Sequence, residues 1–526
     1  MMKNLVLFLF PLLLFSQNQY VYINFKDKPS AAVYLSNPNS MLSQKAIDRR
    51  NIFSIPIIEQ DVPIENTYIQ QIKNLGITII SKSKWLNAVG VEISATQKNQ
   101  VLALPFVKNI SSFVKDGTQW KTATIVKNNK FSETASFDYG QAYNQITQIN
   151  LKSLHDAGYT GFGVDIAVFD TGFPNVNSGS FFQRVRDNNL IKGVYNLITD
   201  NSDVYNPSLN NHGTLTLSTM GAFSTNTFAG TAPDSNYWLF VTESGPFEIP
   251  QEESWWIEAA EKADSIGVNI ISSSLGYLNV FDDARYNYTT NQMDGQTSFI
   301  AKGAKIATEK GIMVVNAAGN EGTSSWQKII TPADVESVLT VGAVNSTGSS
   351  ASFSSYGPTS DNRIKPDISS QGQASATSGG NSVQFFNGTS FSCPIIAGGV
   401  ASLMQAFPNV PPATIKTKLI QSADLYPNIT NQKGYGIPDF WKVYQNLKIE
   451  EQNQEIFSIY PNPTSKYIHL KTNKKEFIIS MYESSGKLIK QISNTTVIDI
   501  ENFNAGIYLL SINCEGSIKS FQIIKR

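Results

Sequence analysis

Cysteine is nearly absent from this chain of 526 residues: there are two, Cys393 and Cys514, far apart and in no C-x-x-C spacing. A disulfide framework and a thiolate metal site are both excluded. Histidine is almost as scarce, with His155, His212 and His469 the full set. Any chemistry that runs on an imidazole therefore has three candidates. Charge is thin: 16% of residues are charged and the formal net charge is -1. Nucleic-acid binding needs a basic patch or stripe, and nothing of that kind is present. Beyond the N-terminus no segment is apolar and long enough to cross a bilayer. Asn, Ser, Thr and Gln stand where charges would be, a composition that suits an exported protein.

What is present is enough apolar residue for real cores, 41% of the chain. The length predicts roughly two to four domains at about 150 residues each. The N-terminus MMKNLVLFLFPLLLFSQ has one lysine before an apolar run from Leu5 to Phe15. That run is too short for a spanning helix and matches a secretory signal, expected over 1–17. No cysteine follows it for lipid attachment.

The pattern then changes four times. Residues 18–115 read as a small α/β domain. QYVYINF alternates like a strand, SMLSQKAIDRR reads as a helix capped by Ser40, and YIQQIKNLG as a helix stopped at Gly76. ITIISKSKWLNAVGVEI gives two strands, ATQKNQVLAL a helix and VKNISSFV a last strand. Residues 116–138 have no clean period and read as a linker open to cleavage. From 139 to 447 strands such as VDIAVFD and IMVVNAAG alternate with helices such as WIEAAEKADSIG and FIAKGAKIATEKG. That alternation predicts a parallel sheet with right-handed crossovers. A polar linker is expected over 448–454, and 455–526 read as short alternating strands of an all-β domain.

In parallel sheets of this kind ligands gather at the carboxyl ends of strands. Asp170 ends VDIAVFD, and Asn320 follows IMVVNAAG. His212 in SLNNHGTLTLSTMGA and Ser390 in FFNGTSFSCPIIAGGVASLM each open a helix-like run. Each has a plain structural role of its own: turn aspartate, satisfied histidine, loop asparagine, N-cap serine. Together they supply an acid, an imidazole, an amide and a hydroxyl, which is a full set for nucleophilic catalysis. The chain order is Asp, His, Ser.

These segments carry a resemblance. IAVFDTG, NHGT, SSSLGY, NAAGNEG and NGTSFSCP occur in that order, with weaker matches LHDAGYTGFG, GTAPDS, ASFSSYGP and GYGIPDF before, between and after them. Over 139–447 the chain resembles the subtilisin-like (subtilase) serine proteases. The resemblance implies a three-layer α/β fold with a mainly parallel central sheet. It implies Ser390 as nucleophile, His212 as base, Asp170 as the acid that orients it, and Asn320 with the Ser390 N–H as oxyanion donors. Ser273, Leu275 and Gly276 would line the substrate, and Ile330 would stand near the floor of the main side-chain pocket, favouring a modest apolar residue. Cys393 reads as a small packing residue, and Trp255 and Trp256 as helix core.

No cofactor is required for such chemistry. Family members often hold structural calcium; 281–295 is rich in carboxylates, yet no metal ligand is assigned. The N-terminal domain, through KWLNAVGVEI and VKNI, resembles the inhibitory prodomains of subtilases. The tail, through IYPNPTSKYIHL, GIYLLSI and FQIIKR, resembles the sorting domain of type IX secretion substrates. The implied partners are protein or peptide substrates, the chain's own prodomain and the type IX machinery, with the enzyme a monomer on a Gram-negative surface or released from it. The rival reading is a catalytically silent adhesion protein on the same scaffold.

Overall fold

Alternation in QYVYINF sends Val21, Ile23 and Phe25 to one face and Tyr20 and Tyr22 to the other. This strand, β1 (Gln19–Phe25), lies inside a four-stranded antiparallel sheet of order β2-β3-β1-β4. The others are β2 (Ile79–Ser83), β3 (Ala88–Ile93) and β4 (Val107–Ser112). The aliphatic face packs on Ile69 and Ile72 of α2 (Asn66–Asn74) and Val101 of α3 (Ala95–Leu102). Helix α1 (Gln44–Ile52) is capped by Ser43, whose Oγ accepts from the Ala46 N–H at 3.1 Å. Ser40, expected as the cap, instead ends a 3-10 turn over Pro38–Ser40. The cap must sit three residues before its donor, and Ser43 does.

The structure is a computed structural model that describes residues 18–115, 139–454, 457–472, 474–514 and 517–526. The expected signal (1–17) and linker (116–138) lie outside the described residues. The chain divides into two compact units, Met1–Val443 and Tyr444–Arg526.

The core of the first unit is a seven-stranded parallel sheet. Its strands are β5 (Asp165–Asp170), β6 (Ile191–Asn196), β7 (Asn236–Val241), β8 (Ile270–Ser273), β9 (Met313–Ala317), β10 (Leu339–Val344) and β11 (Ile368–Gln371). They run β11-β10-β9-β8-β5-β7-β6 across the sheet. Strands β5, β9 and β10 are buried along their whole length, as parallel strands covered on both faces are. After β5 the chain goes to β6 at the edge, returns through β7 beside β5 and crosses to β8 on the other side, so the strand order switches at β5. Helices α4 (His212–Gly221) and α7 (Thr389–Ala406) pack together, as do α5 (Gln251–Ile266) and α6 (Phe299–Glu309).

The aromatic face of the N-terminal sheet is not capped by its own helices. Tyr20, Tyr22, Trp85 and Phe113 share one core with Trp256, Ile257 and Ala260 of α5 and Ile300 of α6. Tyr22 and Phe113 meet Phe299 at 5.2 and 4.2 Å between ring centres. Beside this lies a buried charge cluster. Asp264 of α5 pairs with Arg49 and takes Arg50 Nη2 on both oxygens, at 2.9 and 2.8 Å. Arg50 and Lys310 also meet Asp61, each at 3.0 Å. Asp61 and Asp264 are wholly buried, and burial pulls the Arg49 guanidinium down to about 10.

Residues 448–454, read above as a linker, lie in a helix, Phe440–Gln454. Glu, Gln and Lys are good helix formers, so polarity alone did not mark a break. The second unit is all β beyond it, with a three-stranded and a four-stranded sheet over one core that includes Ile468, Leu470, Ile479 and Ile512.

Candidate active site

Asp170 is the last residue of β5, at the strand switch, and is wholly buried. Its Oδ1 accepts from the Thr171 N–H at 2.8 Å and from His212 Nδ1 at 2.7 Å; its Oδ2 accepts from Thr216 Oγ1 at 2.9 Å. His212 opens α4, and the first turn of that helix lies against the strand end. A Cβ on Gly213 would stand 2.4 Å from the Gly172 carbonyl and 2.9 Å from the Asp170 Cβ. Only glycine lets the helix approach so closely. A carboxylate oxygen only accepts, so Nδ1 carries the proton in the neutral ring and Nε2 is left as the acceptor. Burial pulls the His212 pKa down, but the Asp170 charge and hydrogen bond outweigh it, and the net position is above the ordinary 6.5.

Ser390 is the second residue of α7 and is 8% exposed. Its N–H is one of the first-turn donors that have no partner inside a helix. Pro394 stands four residues on, inside the helix, and has no N–H to offer the Ser390 carbonyl. Ser274 Oγ fills the place, donating to that carbonyl at 2.8 Å. The Ser390 hydroxyl points at the Ser274 carbonyl at a long 3.5 Å, and among the described residues it makes no hydrogen bond to His212. Phe391, its neighbour, lies 6.0 Å from the imidazole between ring centres.

Asn320 is exposed, and its amide is held in one orientation. Its Oδ1 accepts from the Thr389 N–H at 2.8 Å and from Thr389 Oγ1 at 3.1 Å. A backbone N–H can only donate, so the atom facing it is the oxygen and the NH₂ is turned the other way. Thr389 Oγ1 in turn accepts from the Gly319 N–H at 3.2 Å. Thr389 and Ser274 are two site residues that the sequence reading passed over. Both lie inside segments it quoted, one residue from a named position.

Ser273 ends β8 and is wholly buried, its Oγ accepting from Trp256 Nε1 at 3.0 Å. Leu275 is 4% exposed, whereas Ser274 and Gly276 are half-buried. A Cβ on Gly276 would stand 2.5 Å from Ile330 Cδ1, and one on Gly319 would be 3.0 Å from Ile330 Cγ2. Ile330 therefore fills the space between these two glycines. Trp255 donates to the Ile80 carbonyl of β2 at 3.2 Å, and Trp256 is wholly buried, so both are packing residues. Cys393 is buried against the Val315 and Ser273 carbonyls, and burial pushes its thiol up to about 12. His155 is buried between the Tyr139 hydroxyl (2.9 Å) and the Thr231 carbonyl (3.1 Å), and burial lowers it to about 4. His469 belongs to the second unit, where it stacks on Tyr460.

Residues 161–436 match a family model described as the subtilase family of S8 peptidases. Residues 20–130 match the peptidase S8 propeptide domain of Bacteroidota, and 458–526 a secretion system C-terminal sorting domain. Subtilisin NAT of Bacillus subtilis subsp. natto is 31% identical over 295 residues, 54% of this chain and 66% of the relative. Subtilisin of Bacillus pumilus is 31% identical over 290 residues, 53% of this chain and 90% of that one. Among solved structures, the epidermin leader peptide processing serine protease of Staphylococcus aureus is similar in fold. The TM-score is 0.55 at 16% identity, covering 82% of this chain and 98% of that one. Among the described residues no helix is long and apolar enough to cross a membrane.

Proposed function

This chain belongs to the subtilase family of serine peptidases, and we propose that it is a secreted endopeptidase acting through Ser390, His212 and Asp170. The observation that carries this is the 2.7 Å bond between buried Asp170 and half-buried His212, which uses Nδ1 and leaves Nε2 as the acceptor, on a ring 6.0 Å from Phe391, the neighbour of Ser390. In the reaction the Ser390 hydroxyl turns from the Ser274 carbonyl to Nε2 and attacks the peptide carbonyl while His212 takes its proton. Asp170 keeps the ring oriented and stabilises the imidazolium. The oxyanion is met by the Asn320 amide, aimed by Thr389, and by the Ser390 N–H. His212 then gives its proton to the leaving amine. Water enters, loses a proton to His212 and attacks the acyl carbonyl, and His212 returns that proton to the Ser390 oxygen as the acid product leaves.

The half-buried edge Ser274–Gly276 suits pairing with an extended substrate backbone, with Ser273 and Leu275 behind it. Ile330 closes the floor between Gly276 and Gly319, which favours a modest apolar side chain. The N-terminal domain, packed on α5 and α6, acts as a bound inhibitor until it is cut and released. The C-terminal unit directs export across the outer membrane by the type IX route and is then removed. Labelling with a fluorophosphonate probe, read with intact mass, tests the reading. The wild-type secreted protein should label, and Ser390→Ala should not. Mature protein that has lost its prodomain yet fails to label would refute it in favour of a silent scaffold.

A further inference from the structure

Three carboxylates outside the triad converge on one point. Glu243 lies two residues past β7, Glu248 in the loop that follows, and Glu252 is the second residue of α5. One oxygen from each lies within 4.8 Å of the others. Oxygens bound about 2.3–2.6 Å from a calcium-type ion lie at most about 5 Å apart, so the span fits one ion. Glu252 accepts backbone N–H groups from Ser244 at 2.7 Å and Ile249 at 3.3 Å. Among the described residues the Glu243 and Glu248 carboxylates accept no hydrogen bond, and none of the three forms a salt bridge; the nearby Lys115 pairs with Glu253 instead.

A second feature points the same way. The Tyr277 hydroxyl is wholly buried with no hydrogen-bond partner among the described residues, a costly state for a polar group. The charges acting on it most strongly are Glu252, Glu243 and Glu248. Its ring stacks on Phe281 at 5.7 Å, next to Asp282, whose N–H donates to the Glu248 carbonyl at 3.0 Å. The phenol lies near the cluster, where a water held by a bound ion would donate to its oxygen.

We propose that Glu243, Glu248 and Glu252 bind one divalent cation of the calcium class, with Tyr277 bonded to its water. The ion fixes the segment that borders the triad. Thr242 N–H donates to the Asp170 carbonyl at 3.1 Å. A Cβ on Gly245 would lie 2.9 Å from Asn210, whose Oδ1 accepts the His212 N–H at 2.9 Å.

The test uses full-length Ser390→Ala, which cannot digest itself, stripped with EGTA and titrated with calcium. Calorimetry should show a calcium site that E243Q and E248Q each weaken by at least about tenfold. Thermal unfolding should rise by about 3 °C at a hundredfold excess over Kd, and should not rise in the variants. E248Q should fold, because its carboxylate is half-buried and accepts no hydrogen bond; circular dichroism checks this. Calcium binding unchanged in both variants, or no calcium binding at all, overturns the proposal. So does an active-enzyme E248Q that loses cleavage beside lysine or arginine with no change in calcium response, which would make the cluster a pocket for a basic substrate side chain.

Discussion

Asp264→Asn should cut the grip of the N-terminal domain on the enzyme by two to three decades. In the bound state Asp264 is wholly buried and answers two arginines. Arg50 would keep Asp61 at 3.0 Å, but Arg49 would keep only the carbonyls of Val268 and Asp264. Removing one partner of a buried ion pair costs about 3–5 kcal/mol, because a charge stays buried without compensation. At about 1.4 kcal/mol per decade that is a loss of at least about 10²-fold in affinity. The assay is inhibition of the mature enzyme by the N-terminal domain supplied in trans, compared for wild type and Asp264→Asn. Turnover of a small peptide without inhibitor should be unchanged, since Asp264 is remote from the triad in sequence and bonding. Arg49→Leu in the inhibitor should recover part of the loss, as coupled residues do. An inhibition constant within threefold of wild type would refute the reasoning.

Asn320→Ala should lower turnover by about 10²–10³ with little change in KM, the range known from subtilisin itself. Ile330→Ala should shift preference toward larger side chains by roughly 10- to 50-fold in kcat/KM, at about 0.8 kcal/mol for each methylene newly accommodated; an unchanged specificity profile would remove Ile330 from the pocket. Activity should fall with acid through a pKa above 6.5, because the neutral His212 is the active form and Asp170 holds its pKa up. His155 works in the other direction: its folded pKa is down at about 4. Its contribution to stability is full above about 6.5 and is lost as the pH falls toward 4. His155→Gln should flatten stability over that window in a chemical denaturation series.

The parallel sheet and the four polar residues were legible because strand and helix ends carry local signals. Asp170 follows a buried run, and Ser390 precedes an apolar helix. The residues that set their geometry were harder to see. Thr389 and Ser274 act through hydrogen bonds to partners 69 and 116 positions away. Nothing in one sequence marks a serine as the stand-in donor for a proline four residues past another serine. The cluster of Arg49, Arg50, Asp61, Asp264 and Lys310 spans more than 200 positions between Arg49 and Asp264, and charge pairs have no period to detect. Glu243, Glu248 and Glu252 are brought together by a loop, where spacing carries no rule.

The aromatic core shared by the N-terminal sheet and helices α5 and α6 also constrains how this chain can vary over generations. Tyr20 is bonded to Ser254 at 2.6 Å, and Glu261 of α5 receives Ser83, Lys84 and Trp85 of the N-terminal domain. A substitution on either side leaves a vacancy or a bare charge on the other. The two segments can therefore change without loss only as a matched set, and an N-terminal domain borrowed from a relative without Arg49 and Arg50 would meet Asp264 with nothing to neutralise it.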